Sequence, residues 1–90
     1  MMPIVVCEVG PRDGLQNHPR HFEVAERVEL IDRLSAAGLR RIEAVSFVND
    51  QKVPRMGGAE AVLDSIRRPP GTLFSGLVLN GRGVDRALGC

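Results

Sequence analysis

Three apolar runs, each followed by an amphipathic or polar stretch, recur along the chain at a nearly constant interval, and that period restricts the fold more than any single residue does. The first run is Ile4-Val5-Val6-Cys7, the second spans 39–47 with Ile42, Ala44, Val45 and Phe47, and the third spans 73–80, unbroken from Leu77 to Leu79. Their starts lie about 36 and 33 residues apart, the period of a strand-helix unit. Between the first two runs, residues 23–37 carry Val24, Val28, Ile31 and Leu34 on one helical face, with Glu26, Arg27, Glu29 and Arg33 mostly on the other, and Gly38 to stop the helix. Glu23 suits the positive end of that helix, although no Ser, Thr, Asp or Asn stands at an obvious N-cap. Residues 59–67 predict a shorter helix packing through Ala59, Val62, Leu63 and Ile66, ended by Pro69-Pro70-Gly71, and 81–90 begin a third. Strands joined through helices by short turns pair in parallel, with a right-handed crossover. The expectation is an α/β protein, either a (β/α) barrel or a doubly wound sheet. A closed barrel of eight units takes roughly 200–250 residues, so the three units in residues 1–90 are read as about the first third of one.

Composition removes several classes of function. A net charge of +1 gives no electrostatic footprint for nucleic acid, and the absence of Trp and Tyr argues against base-stacking platforms. No apolar run approaches the roughly 20 residues of a membrane span, and no secretory signal opens the chain, so a cytoplasmic location is the default expectation. Cys7, inside an apolar run, and Cys90, the last residue, form neither a disulfide framework nor a metal-ligand spacing.

The polar residues that matter follow the strands. Glu8-Val9-Gly10-Pro11-Arg12-Asp13-Gly14-Leu15-Gln16-Asn17 succeeds the first run, with Gly-Pro to end the strand and Gly14 to allow a tight or positive-φ backbone. In parallel α/β folds the C-terminal ends of strands carry ligands and chemistry, because the strand fixes position and the loop supplies groups. Arg12 is a permanent cation and Asp13 an oxygen donor suited to a hard metal ion; the competing reading is a solvated turn. Glu43, between Ile42 and Ala44, must reach solvent at a sheet edge or find a counter-charge, for which Arg12 on the neighbouring strand end is available. A loop opens after Ser46-Phe47-Val48 and runs to Gly57-Gly58, long enough to suggest function. The third strand closes on Asn80. His18 and His21 lie in a loop, where solvated histidines are commoner than metal ligands.

These strings resemble one family closely. The Glu8-to-Asn17 segment, Leu30-Ile31-Asp32-Arg33-Leu34, Ala37-Gly38-Leu39, Ile42-Glu43, Ser46-Phe47-Val48, and Val53-Pro54 with Met56 are similar to the N-terminal part of 3-hydroxy-3-methylglutaryl-CoA lyases, from about residue 4 to residue 88. Arg-Asp-Gly with a downstream Gln is shared across the wider superfamily of isopropylmalate and homocitrate synthases and pyruvate carboxylase carboxyltransferase domains. The resemblance implies the N-terminal fragment of a TIM (β/α)8 barrel, with about three βα units, from an enzyme that cleaves an acyl-CoA substrate to acetyl-CoA and acetoacetate with Mg²⁺ or Mn²⁺. It further implies Asp13 as metal ligand and proton acceptor, Arg12 as the cation that stabilises the enolate, and Glu43 as the carboxylate that orients Arg12. Gln16, Ser46 and Asn80 fall at matching strand ends as substrate-binding candidates, although Leu79 stands where relatives commonly have Pro. The family's His-x-His ligands, later metal-binding Asn and loop Cys have no counterpart among these residues. The parent is expected to be a homo-oligomer that engages neither nucleic acid nor membrane. Two other readings are a catalytically incomplete structural or interaction module, and a superfamily member acting on another acyl-CoA.

Overall fold

The structure, a computed structural model, describes residues 4–90. Two strands, β1 (Arg41–Ser46) and β2 (Leu73–Leu77), pair in parallel and are joined through α2 (Ala59–Ser65). The register sets Ile42 against Phe74 and Glu43 against Ser75, then slips between Glu43 and Val45 so that Val45 faces Gly76 and Ser46 faces Leu77. Ile42, Ala44, Val45 and Ser46 have no solvent exposure, as expected of a parallel strand covered on both faces.

The first predicted strand is not one. Ile4, Val5 and Val6 are exposed, and the pairing is a single parallel bridge between Glu8 and Ile42. The Glu8 N–H donates to Arg41 O and the Glu43 N–H donates to Glu8 O, each at 2.9 Å. An apolar run becomes a regular strand when neighbours pair with it and cover it, and 4–7 have no such cover here. The parallel sheet is therefore two strands and a bridge rather than three strands. The third strand also ends earlier than its apolar run, leaving Leu79 70% exposed.

α1 (Val24–Ala36) is capped by Glu23, whose N–H donates to Glu26 Oε1 at 3.2 Å; this reciprocal carboxylate replaces the Ser or Thr the sequence lacks. Gly38, at φ 97°, ends it. Gly58, at φ 73°, opens α2 with α1 so close that a Cβ there would lie 3.1 Å from Val24 Cγ2. α3 (Gly81–Leu88) follows β2. The core joins Ile31 of α1, Ala44 and Val45 of β1, Phe47, and Ala59, Val62, Leu63 and Ile66 around α2. One expected outward residue is buried: Arg27 retains 2% exposure and donates from Nη1 to Gly57 O at 2.6 Å. It lies four residues before Ile31, on the same helical face, and its long stem suits the crowded seam between α1 and the turn before α2. Burial lowers the pKa of its guanidinium, opposed by the charge of Asp50.

Candidate active site

The first site element is the wide turn that follows the Glu8 bridge. Residues Gly10–Gly14 form one turn of π-helix in which the N–H groups of Arg12, Asp13 and Gly14 all donate to Val9 O, at 3.2, 2.7 and 3.3 Å. Isolated π turns are uncommon and occur often at functional sites. Pro11 at the start has its φ already set for a helix, and the Gly10 N–H donates to Glu8 Oε1 at 3.1 Å. Gly14 is not at positive φ and has open space where a Cβ would stand, so the expected tight turn is instead helical.

That turn aims Arg12 at the neighbouring strand. Its Nε donates to Glu43 Oε1 at 2.5 Å, and its Nη1 lies 3.4 Å from Asp13 Oδ1. Arg12 and Glu43 side chains are 19% and 21% exposed and Asp13 is 55% exposed. Glu43 has thus found the counter-charge the sequence required, and is not an exposed edge carboxylate. Holding one guanidinium edge on Glu43 leaves its remaining N–H groups to meet charge outside the protein.

Ser46 is fully buried at the end of β1, and Ser46 Oγ and Gln16 Oε1 are buried without a protein hydrogen-bond partner. Asn80 is engaged differently. As the N-cap of α3 its Oδ1 accepts from the Gly83 N–H at 2.9 Å, and no hydrogen bond ties it to Arg12, Asp13 or Glu43. A groove of ≈ 880 Å³ opens over the loop after β1 and the start of α3, lined by Phe47, Asp50, Lys52, Asn80 and Arg86 among others. The Arg12, Asp13 and Glu43 side chains lie outside its lining.

A second ionic centre has no signature in the sequence. Arg86 of α3 holds Glu60 of α2 through two bonds of 2.7 Å, donates to Val48 O at 2.8 Å and lies 3.4 Å from Asp50 Oδ1. The hydrogen bond from Arg86 lowers the Glu60 carboxyl pKa, and the same bond raises that of Arg86. Arg86 stands 26 to 38 residues from its partners in sequence, too far for any local pattern to connect.

A resident Mg²⁺ or Mn²⁺ can be tested on donor chemistry. Such ions want near-octahedral oxygen coordination. Asp13 offers one carboxylate beside a guanidinium, and Glu43 is already engaged by that guanidinium. Among the described residues no three His, Cys, Asp or Glu side chains gather to hold an ion. These residues do not make a complete divalent-cation site. His18 Nδ1 accepts from the Arg20 N–H at 3.0 Å, and His21 faces Glu23 at 3.8 Å.

Parallel strands ending in polar turns, with an Arg-Glu pair that ties the first turn to β1, are those of a piece of a (β/α) barrel. Residues 3–81 match the HMGL-like family, and the chain belongs to it. A 3-hydroxy-3-isohexenylglutaryl-CoA/hydroxymethylglutaryl-CoA lyase of Pseudomonas aeruginosa is 49% identical over 92% of this chain and 28% of its own length. An (R)-citramalyl-CoA lyase of Chloroflexus aurantiacus is 42% identical over 97% of this chain and 31% of its own. A crystal structure of hydroxymethylglutaryl-CoA lyase from P. aeruginosa superimposes with a TM-score of 0.93 at 46% identity, covering 96% of this chain and 29% of that one. An HMG-CoA lyase from Acinetobacter baumannii, in complex with coenzyme A and 3-methylmalate, superimposes at 0.90 and 40% identity over 94% of this chain and 28% of that one. The chain spans about three tenths of the length of the relatives it matches, and its fold is that of a segment of their TIM barrels. No helix among the described residues is long and apolar enough to cross a membrane.

Proposed function

We propose that this chain supplies the enolate-stabilising part of a carbon-carbon lyase acting on a 3-hydroxyacyl-CoA, with 3-hydroxy-3-methylglutaryl-CoA as substrate and acetyl-CoA and acetoacetate as products. The observation that carries the reading is the Arg12-Glu43 pair, which joins the turn after the Glu8 bridge to the parallel strand β1, with Asp13 beside it. Cleavage breaks the C2–C3 bond. The C3 hydroxyl loses its proton, the C3 oxygen becomes a ketone, and the bond's electron pair moves onto the thioester as an enolate that is then protonated at C2. Arg12, fixed by Glu43, presents its free N–H groups to the enolate oxygen, where charge develops only in the transition state. Asp13, the more exposed of the two carboxylates, takes the hydroxyl proton. Gln16 and Ser46, with buried unpaired oxygens, are the proposed substrate contacts, and Asn80 contributes through the path of the chain at the start of α3. A Mg²⁺ or Mn²⁺ ion belongs to the proposal only in a longer chain that brings further donors, with Asp13 as one of its ligands.

The lyases it resembles, named for hydroxymethylglutaryl-CoA and (R)-citramalyl-CoA, support the substrate class, and the coenzyme A complex of the A. baumannii relative supports an acyl-CoA. Two free cysteines, Cys7 and Cys90, suit a reducing compartment such as the cytoplasm. Homo-oligomerisation of the full-length protein is part of the same proposal. The deciding experiment is acetoacetate release by the full-length protein and its Arg12→Gln variant, for which a fall in kcat of about a hundredfold or more is expected. An unchanged kcat would refute the role. A non-catalytic interaction module is favoured instead by the exposed apolar edge of Ile4, Val5 and Val6, and the absence of turnover in the full-length protein would select it.

A further inference from the structure

We infer that Arg86 is a positioning residue that fixes the loop after β1, residues 47–53, as a preformed and charge-neutralised wall for the acyl-CoA thioester. The inference rests on the proposed function for its ligand, and on the structure alone for the clamp. Arg86 ties three parts of the chain with one guanidinium: its own helix, Glu60 of α2 at 2.7 Å twice, and the loop at Val48 O and Asp50. Its Cζ also lies 5.7 Å from the centroid of the Phe47 ring. A planar fork can serve a bidentate carboxylate and a carbonyl together, which an ammonium cannot.

The residue it stabilises is confined from every side. The Phe47 N–H donates to Leu77 O at 2.8 Å, a Cβ on Gly76 would fall 2.7 Å from the Phe47 ring, and a Cβ on Gly83 would fall 2.8 Å from Phe47 O. Phe47 directly follows Ser46, so an anchored Phe47 also fixes the end of β1. Beyond Val48 the loop is otherwise held mainly by Asn49, whose Oδ1 accepts from the Gln51 and Lys52 N–H groups at 2.9 and 3.2 Å. That turn keeps its own shape without Arg86, and its tie to the start of α2, the Gly58 N–H to Asp50 Oδ2 at 3.4 Å, is longer than the 2.7 and 2.8 Å bonds that Arg86 makes to Glu60 and Val48 O.

Charge gives the second part. Asp50, Glu60 and Arg86 all line the groove. A CoA thioester is a polyanion, and two bare carboxylates in the wall would repel it; Arg86 contacts both and offsets one of the two charges, and Lys52 and Arg82 in the same lining offset the rest. The clamp therefore acts on substrate binding rather than on the bond that breaks.

The test uses the full-length protein with 3-hydroxy-3-methylglutaryl-CoA as probe and two readouts. Arg86→Gln is expected to raise KM about tenfold with kcat within about twofold, and to speed amide exchange across residues 48–53 about tenfold, the scale of one lost charge-assisted contact. Arg86→Lys, which keeps the charge and loses the fork, falls between the two in both readouts. A fall in kcat with KM unchanged, or unchanged exchange in Arg86→Gln, would overturn the inference. Should Arg86→Gln fail to fold, Glu60→Gln is read by the same measurements, and unaltered exchange there overturns it as well. If the wild-type protein cleaves no CoA thioester, the proposed function falls, while exchange at 48–53 still decides whether the clamp exists.

Discussion

Replacing Glu43 with Gln removes one charge from a pair whose members are about four-fifths buried, while leaving shape and volume nearly intact. Breaking a fully buried ion pair from one side costs about 3–5 kcal/mol, because the surviving charge is left without compensation. Here the cost should be smaller. A fifth of each side chain still meets water, Asp13 remains 3.4 Å from Arg12, and the Gln amide oxygen can still accept a weaker bond from Nε. About 2 kcal/mol is expected for Glu43→Gln, with a similar loss for Arg12→Gln, and the double variant should lose clearly less than the sum of the two because it leaves no stranded charge. Denaturant unfolding of the four proteins, full length and at one pH, closes the cycle. A coupling indistinguishable from zero would show that the 2.5 Å contact carries no net energy and that Glu43 does not hold Arg12 in place. Parallel kinetics should show Glu43→Gln lowering kcat less than Arg12→Gln, since it disturbs the cation without removing it.

Gly83→Ala should destabilise the protein by about 1–3 kcal/mol, because the added Cβ would lie 2.8 Å from the Phe47 carbonyl, a backbone atom with no freedom to retreat; a thermal melt matching wild type would refute that packing. Acidification should weaken the Arg86-Glu60 tie: the folded-state pKa of Glu60 is depressed, so its contribution is present above the unfolded value of 4.5 and is lost as pH falls through the folded one, and Glu60→Gln should flatten that acid limb of a plot of Tm against pH. Arg27→Met should change stability by less than about 1.5 kcal/mol, as a buried cation is exchanged for a similar apolar volume, and unfolding of this variant well beyond that would mean the Gly57 carbonyl bond is indispensable. The isolated 90-residue chain should self-associate and bind Mg²⁺ no more tightly than a simple carboxylate, readable by sedimentation and calorimetric titration; a monomer with a cooperative melt would refute the first part.

The sequence by itself determined the local elements and the chemistry on offer. Period and punctuation located α1, α2, α3, β1 and β2 because each carries its own pattern: Val24, Val28 and Ile31 at helical spacing, Gly38 to stop, and a β1 run apolar enough to be buried on both faces. The Glu43 carboxylate between apolar neighbours announced that it needed a partner, and Arg12 was the nearby candidate. Tertiary structure decided what depends on neighbours rather than on order along the chain. Residues 4–7 have a strand's composition but no cover, so only Glu8 pairs. Arg27 has a surface residue's charge but lies beneath the turn before α2. The Arg86 clamp assembles only when α2, α3 and the loop after β1 meet, since a guanidinium's value as a tie depends on acceptors that no spacing in the sequence specifies.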